Sequence, residues 1–600
     1  MKHRLLLFIK LYVFWILFFV VQKPFFMLWQ YGLLGDVHWT DWFLVPWHGL
    51  PLDLSVASYV MLAVGLILCV SFWVRWHIIR CIFDGLTALC LTVGLWTVLG
   101  DNGCFPSWGY HLNQDIFEYL ATPREALACA PWWVWTLGCV GFAVLFAIWW
   151  WIYKKLSIVH CQPPTKKVLS TLGMLLITGA LFLPIRGSVT VSTMNSGRVY
   201  FSDNQMLNVA AVNPLFNIME SLGSDVFDVA KYTYMPSDKA KQCVEDLLSP
   251  ARFNSDTTTL PLLTTPRPNI IFFILESFSQ NAWGAMPNVQ RISWEGVYFS
   301  NIYASSYRTD RGVVATLSAF PGQPTSSLMV VPYKSQSLPQ LGQCLKQAGY
   351  KLKFFYGGDE DFTNMRSYLV QGGFENRVAD RDFAPADRLS KWGVPDHIVF
   401  DRALSEIVGR KQDTAKHLDV ILSLSSHEPF EVDYHHLENP YLNAIAYTDS
   451  CLGAFMDTLR NSPIWDSTLV VMVADHGFPY PDGLANYMPA RYRIPVVMAG
   501  GAVQQARQID RLGSQVDLVP TLLCQMGLEA DGFLFGKNMV DTTQQEFAFF
   551  AFNDGFGLIR PNDTIVVDAK ADKVLIGTNP QTEHYARALI QRVMETIQEL

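Results

Sequence analysis

Charge is scarce in this sequence. Only 16% of its 600 residues are Asp, Glu, Lys or Arg, where a soluble globular protein carries about 25%. Half of the residues are hydrophobic and 14% are aromatic, so long stretches avoid water and a membrane is implied. The formal net charge is -8. With no basic tail and no patch of interleaved basic and aromatic residues, a nucleic-acid partner is excluded. Eleven cysteines occur, but there is no CxxC pair and no His/Cys cluster of zinc-finger spacing. Neither a thiolate metal site nor a disulfide scaffold is signalled. Internal repeats and low-complexity tracts are also missing.

Long apolar runs are present. Five segments, at about 4–22, 55–75, 81–99, 131–152 and 167–185, reach the ~20 residues needed to cross a bilayer. Lys2 and Arg4 precede the first run in the manner of a signal peptide. No small-residue cleavage site follows, so it reads as an uncleaved anchor. Lys2 and Arg4, then Arg75, His77 and Arg80, then Lys154, Lys155, Lys166 and Lys167 all fall on one side if the spans alternate. The other loops carry Asp36, Asp41, Asp101, Asp115 and Glu118. The positive-inside rule therefore places the amino terminus in the cytoplasm and everything beyond residue 190 outside. Trp132, Trp133, Trp135, Trp149 to Trp151 and Tyr153 crowd span ends, as rings anchored at headgroup level do. Asp84 is the one ionisable candidate inside a span, and it lies near an end.

A connecting region follows at 191–266. Residues 213–222 repeat apolar side chains at helical spacing, which predicts an amphipathic helix on the membrane or against the outer domain. The run Asn254-Ser-Asp-Thr-Thr-Thr and the segment Thr264-Thr-Pro-Arg-Pro268 read as a linker.

From 267 onward short apolar strands alternate with helical patterns, which predicts an α/β domain with a mainly parallel sheet covered on both faces. The run 270–275, bounded by Pro268 and ending in Glu276, reads as a buried parallel strand with an acid at its carboxyl end. Ligands of such sheets bind outside those ends. A Glu there can hold a cation or cap the next helix. Thr468-Leu-Val-Val-Met-Val473 runs into Ala474-Asp475-His476-Gly477, and 419–424 runs into Ser425-Ser426-His427-Glu428. A carboxylate and an imidazole at adjacent strand-end positions can reach one ion. Glu276, Asp475/His476 and His427 at three ends of one sheet point to a shared divalent-metal site. Thr309, in Ser305-Ser-Tyr-Arg308-Thr309-Asp310-Arg311-Gly312, opens an expected helix at 313–320. It reads either as an N-cap or as a nucleophile activated by the metal, with Arg308 and Arg311 forming an anion site.

These segments, in this order, together with Ser-Ala-Phe-Pro-Gly-Gln-Pro, Phe-Tyr-Gly-Gly-Asp359-Glu-Asp-Phe-Thr-Asn-Met and Val-Asp-Leu-Val-Pro-Thr-Leu, resemble the lipoteichoic-acid-synthase-like branch of the alkaline phosphatase and sulfatase superfamily. The resemblance covers roughly 210–530, and the five-span anchor matches it. It implies Glu276, Thr309, Asp475 and His476 as metal ligands, Thr309 as nucleophile and His427 as the substrate-binding histidine; Arg308, Arg311 and Asp359 are expected to bind substrate beside it. Manganese is the family's usual metal, with zinc or magnesium common among relatives. Where the synthases have a Trp and an Arg after the Phe of the glycine-rich motif, this chain has Thr363 and Met365, with Arg366 next. No formylglycine precursor sits at the nucleophile position. The segment Cys104-Phe-Pro-Ser-Trp108 lacks the Arg of that motif, so sulfate-ester hydrolysis is not expected.

The expected architecture is a five-helix membrane bundle (1–190), the connecting region, a catalytic domain (267–530) and a carboxyl-terminal subdomain (531–600) with strands near 547–552 and 564–567 and a helix at 584–600. The expected activity is transfer of a phosphoglycerol-type headgroup from a membrane phospholipid to a glycan or lipid acceptor, by an enzyme of a bacterial-type cytoplasmic membrane whose catalytic domain lies outside. Alternatives are a phosphoethanolamine transferase, which ectodomain disulfides would favour, a metal-dependent phosphodiesterase or sulfatase-like hydrolase, and a non-catalytic membrane sensor.

Overall fold

The computed structural model describes every residue except 109, 115, 118–131, 158–165, 191, 223–226, 250–252, 254–258 and 411–413. Asp115, Glu118 and most of the 254–259 linker lie outside the described residues. The chain divides into two compact units, Met1–Ser224 and Asp225–Leu600.

Five helices of the first unit are long and apolar enough to cross a membrane: α1 (Lys2–Trp29), α2 (Asp41–Val70), α3 (Trp76–Pro106), α4 (Trp132–Leu156) and α5 (Lys167–Arg186). The sequence boundaries of the first two were too short. Helix α1 continues through Pro24, and α2 contains Pro46 and Pro51, positions at which a sequence reading stops a span. Neighbouring helices can satisfy backbone groups freed by proline. The extension brings Lys23 and Asp53 inside the bundle, both fully buried and 2.5 Å apart. Asp84 is therefore not the sole ionisable residue within the spans. It accepts hydrogen bonds from Tyr153 (2.9 Å) and Lys154 (2.6 Å).

The amphipathic helix at 213–222 is α6 (Pro214–Ser221), capped by Asn213, whose side chain accepts from the amides of Leu215 and Phe216. Asn213 Nδ2 also donates to Asp53 Oδ1 at 2.9 Å, and Asn217 donates to the Leu112 carbonyl at 3.0 Å. These bonds fix α6 to the bundle, so it packs within the first unit on α2 and α3. The second unit begins before the catalytic motifs. Its helix α7 (Ser237–Leu248) packs on the final helix, Pro580–Glu599.

The central sheet of the second unit holds β1 (Asn269–Leu275), β2 (Val297–Tyr303), β3 (Tyr350–Tyr356), β4 (Asn376–Val378), β5 (Lys416–Leu422), β6 (Thr468–Ala474), β7 (Arg493–Ala499), β8 (Arg507–Ile509) and β9 (Gly513–Ser514). Their order is β4-β3-β5-β1-β6-β7-β2-β8, with β9 beside β2. All pairs are parallel except those made by β7, which runs antiparallel to β6 and β2. Ile270 to Leu275 and Thr468 to Ala474 are buried throughout, as strands covered on both faces must be. A second, antiparallel sheet joins β10 (Ala548–Phe552), β11 (Gly555–Arg560), β12 (Asp563–Asp568) and β13 (Lys573–Ile576).

Candidate active site

Register alone brings the first two acids together. Strands β1 and β6 pair in parallel with Leu275 opposite Ala474, so Glu276 and Asp475 leave adjacent strand ends side by side. The turn after β1 is held by short polar links. Glu276 N–H donates to Ser423 Oγ (2.8 Å), Ser277 N–H to Asp475 Oδ1 (2.8 Å) and Ser426 Oγ to the Glu276 carbonyl (2.6 Å). Ser277 itself has φ 58°, a left-handed conformation that costs a non-glycine residue energy and recurs at functional sites.

Thr309 is the first residue of α8 (Thr309–Ser318), which begins four residues earlier than its apolar pattern indicated. Gly312 lets this helix press on the Asp475-His476 segment: a Cβ there would lie 2.2 Å from the Asp475 carbonyl oxygen. Gln515 secures the same place from below by donating to the carbonyls of Asp475 (2.7 Å) and Ala474 (2.9 Å) and to Thr316 Oγ1 (3.0 Å). Sequence reading passed over Gln515 because a lone amide in a loop carries no pattern.

In consequence Thr309 Oγ1 donates to Glu276 Oε2 at 2.9 Å. Ligand atoms of Glu276, Asp475 and His476 all lie within 4.8 Å of one another, and all three residues are buried. His476 Nε2 is 3.5 Å from Glu276 Oε1 and 3.4 Å from Asp475 Oδ2. Its other ring nitrogen faces the Gly477 carbonyl at 3.1 Å, the outer contact that orients a ligating imidazole. Burial, and then the charge of Glu276, push Asp475 well above the usual carboxylate range. Burial opposes ionisation of Glu276 as well, but His476 and His427 outweigh it and hold that carboxyl below its ordinary value. Burial lowers His476 from its ordinary value, against the opposing pull of Glu276 and the Gly477 carbonyl.

Asp475 Oδ2 is buried and accepts no hydrogen bond among the described residues. Two buried carboxyl groups, an imidazole and a hydroxyl, with one carboxyl oxygen left over, are a donor set suited to a divalent cation.

A cavity of about 420 Å³ opens at this cluster, and Thr309, Arg308, His427 and His476 line it. His427 directs Nδ1 to the Glu428 carbonyl (2.8 Å) and packs on Trp392, with ring centroids 4.2 Å apart. Its Nε2 is thus the nitrogen left for a ligand. Two of the expected substrate-binding residues do not reach the cavity lining. Arg311 is buried and donates to the Thr325 carbonyl at 3.0 Å, while Asp359 accepts the Asp361 amide at 3.0 Å. Thr363 and Met365 do line the cavity. Arg366 is held by Asp361 (2.5 Å) and Glu360 (3.4 Å) and cannot stand in for an arginine at their positions. The tryptophan and the additional arginine that line the cavity are Trp392 and Arg491, neither of which belongs to a motif visible in the sequence.

Residues 268–528 match the family model described as Sulfatase, and this region is a sulfatase-family domain. A protein of the alkaline phosphatase superfamily from Vibrio parahaemolyticus has the same fold, with a TM-score of 0.54 at 24% identity, covering 62% of this chain and 98% of that one. The lipoteichoic acid synthase LtaP from Listeria monocytogenes gives a TM-score of 0.51 at 19% identity, covering 60% and 98%. In sequence the chain is 26% identical over 303 residues to phosphoglycerol transferase I of Xanthomonas campestris pv. campestris (strain B100), covering 44% of this chain and 42% of that protein. It is 22% identical over 318 residues to the lipoteichoic acid synthase-like protein YvgJ of Bacillus subtilis (strain 168), covering 47% and 51%. The chain thus spans about two fifths to half of the length of these curated relatives.

Proposed function

We propose that this protein is an integral-membrane phosphotransferase that moves a phosphoglycerol-type headgroup from a membrane phospholipid to an acceptor hydroxyl of a glycan or lipid. The catalytic unit would lie outside a bacterial-type cytoplasmic membrane. Five long apolar helices and the names of two relatives support the reading, and one observation carries it. The Thr309 hydroxyl, at the mouth of a cavity lined by Arg308 and His427, is hydrogen-bonded to a carboxylate of the Glu276/Asp475/His476 cluster.

Glu276, Asp475, His476 and Thr309 would hold a divalent cation, manganese by family resemblance, with zinc or magnesium as alternatives. When bound, such an ion lowers the pKa of the nucleophile and neutralises phosphoryl charge. The chain's own residues do the rest. Thr309 Oγ attacks phosphorus and passes its proton to Glu276 Oε2, the acceptor it already faces. A Thr–O–P bond forms, the bond from phosphorus to the diacylglycerol oxygen breaks, and that oxygen takes a proton from His427 Nε2. In the second half the acceptor hydroxyl gives its proton to His427 and attacks the phosphothreonine. Thr309 then leaves and recovers its proton from Glu276. Arg308 binds phosphoryl oxygens, as a guanidinium suits.

Of the alternatives, phosphoethanolamine transfer gains nothing from the second unit's cysteines, since Cys243, Cys344, Cys451 and Cys524 are free thiols. Incubation of the purified protein with headgroup-labelled phosphatidylglycerol tests the reading. Diacylglycerol and a labelled acceptor should form with wild type, and Thr309→Ala should lose this by several orders of magnitude at an unchanged melting temperature. Release of labelled water-soluble glycerol phosphate with no labelled acceptor would make the protein a hydrolase instead.

A further inference from the structure

We infer that Arg491 is a phosphoryl-binding residue of this cavity and that its partner in the clamp is Arg308, not Arg311. The inference deepens the proposed function and rests on it for the identity of the substrate, though not for the anion site.

Three guanidinium groups gather about the ring of Tyr307: Arg308 at 5.9 Å from its centroid, Arg311 at 5.5 Å and Arg491 at 5.2 Å. The ring is itself fixed by a hydrogen bond from Tyr307 to Asn553 Oδ1 at 2.5 Å. Arg311 is buried and donates from Nη2 to the Thr325 carbonyl; its Nε and Nη1 also have no hydrogen-bond partner among the described residues, but it does not line the cavity and so does not face a ligand there. Arg308 and Arg491 line the cavity with Thr309. Arg491 donates from Nη1 to the neutral Asn486 side chain and forms no ion pair with any described residue. Its Nε is buried without a hydrogen-bond partner among them. A donor of this kind, desolvated and stacked on an aromatic face, is costly unless a ligand supplies the acceptor. Two unneutralised guanidinium groups beside a nucleophile repel each other, and an anion between them relieves the repulsion.

The backbone places Arg491 deliberately beside the metal motif. A Cβ on Gly477 would lie 1.9 Å from the Arg491 carbonyl oxygen, so the glycine after Asp475-His476 lets the 489–492 segment lie against it. Tyr492 then anchors that segment from the core side, fully buried and donating to the Asn486 carbonyl at 2.6 Å. The cavity's arginine comes from this contact rather than from the helix that carries Thr309. The ligand class is a phosphoryl group with two non-bridging oxygens, which one guanidinium edge can bind bidentately.

The test uses the full-length protein in detergent, loaded with manganese and titrated calorimetrically with inorganic phosphate, a probe that requires no turnover. Arg491→Ala should weaken phosphate binding about tenfold or more while manganese occupancy stays at the wild-type level. Arg491→Gln, which keeps most of the side chain's length, should do the same if the alanine variant folds poorly. Phosphate affinity within twofold of wild type in the folded variants, at full manganese occupancy, overturns the inference. Headgroup transfer is scored separately on the wild type. Weakened phosphate binding in the variants with no wild-type transfer upholds Arg491 and sinks the transferase reading, whereas transfer with unaltered phosphate affinity does the reverse.

Discussion

In the membrane unit, Lys23 lies buried 2.5 Å from Asp53, Asn213 completes the contact, and Asp101 faces His111 at 2.8 Å. In the second unit Glu276 and Asp475 are also buried, yet among the described residues no Lys or Arg pairs with either and one Asp475 oxygen accepts no hydrogen bond. Both arrangements sink acids into low dielectric. Opposite charges inside the bundle neutralise each other and tie α6 to the spans, which is a structural use. The Glu276/Asp475/His476 cluster gathers like charges, and on the proposed reading the cation is supplied from outside, which is how a site keeps affinity for a metal.

The comparison breaks most visibly if the two clusters are mutated alike. Alanine at Glu276, Asp475 or His476 should remove the bound divalent ion, measured by elemental analysis, and lower turnover by about three orders of magnitude or more. The fold should persist. In metal-free protein Asp475→Asn should even raise the melting temperature, because it removes one of two carboxylates that repel each other. A fall of several degrees would show that the cluster is structural after all.

Single changes in the bundle should behave in the contrary way. Lys23→Met leaves Asp53 buried without its cation and should cost about 3–5 kcal/mol, while Lys23→Met with Asp53→Leu should recover most of it. Denaturant melts of both variants would show this, and additive losses would mean that the two residues are not coupled.

Legibility followed the same division. The strand-end acids could be read from the sequence because a buried strand is a continuous apolar run and its end is visible as the first polar residue, as at Leu275-Glu276 and Ala474-Asp475. Thr309 and His427 were found through motif order. Lys23 and Asp53 escaped because a charge or a proline looks like the end of a span, whereas the helices run through both. Arg491 and Trp392 escaped for another reason. They lie outside any periodic segment, and what brings Arg491 to the site is the absent Cβ of Gly477, a contact that sequence spacing does not encode. Arg311 stands two residues from Thr309 and Asp359 lies in the glycine-rich segment, yet neither lines the cavity.

A smaller effect sharpens the picture of the first unit. Glu220, at the end of α6, pairs with no cation among the described residues, and burial pushes its carboxyl up to about 7, although the Ser196 amide donates to it at 3.1 Å. A carboxyl raised in the folded state contributes stability that is full below about 4.5, its ordinary value, and is lost as pH rises through about 7. Wild type should therefore lose melting temperature between pH 5.5 and 8 relative to Glu220→Gln. Parallel curves would remove Glu220 from the account.

The most direct measurement concerns Thr309. If its hydroxyl, which does not cap α8 because Arg308 holds that position, serves only as a hydrogen-bond donor to Glu276, Thr309→Ala costs about 1–3 kcal/mol and leaves activity nearly intact. If it is the nucleophile, wild-type protein quenched during turnover with phosphatidylglycerol should carry a phosphoglycerol adduct on the Thr309 peptide, visible by mass spectrometry and lost in Thr309→Ala. Near-normal turnover by Thr309→Ala, with no adduct in wild type, would contradict the covalent mechanism.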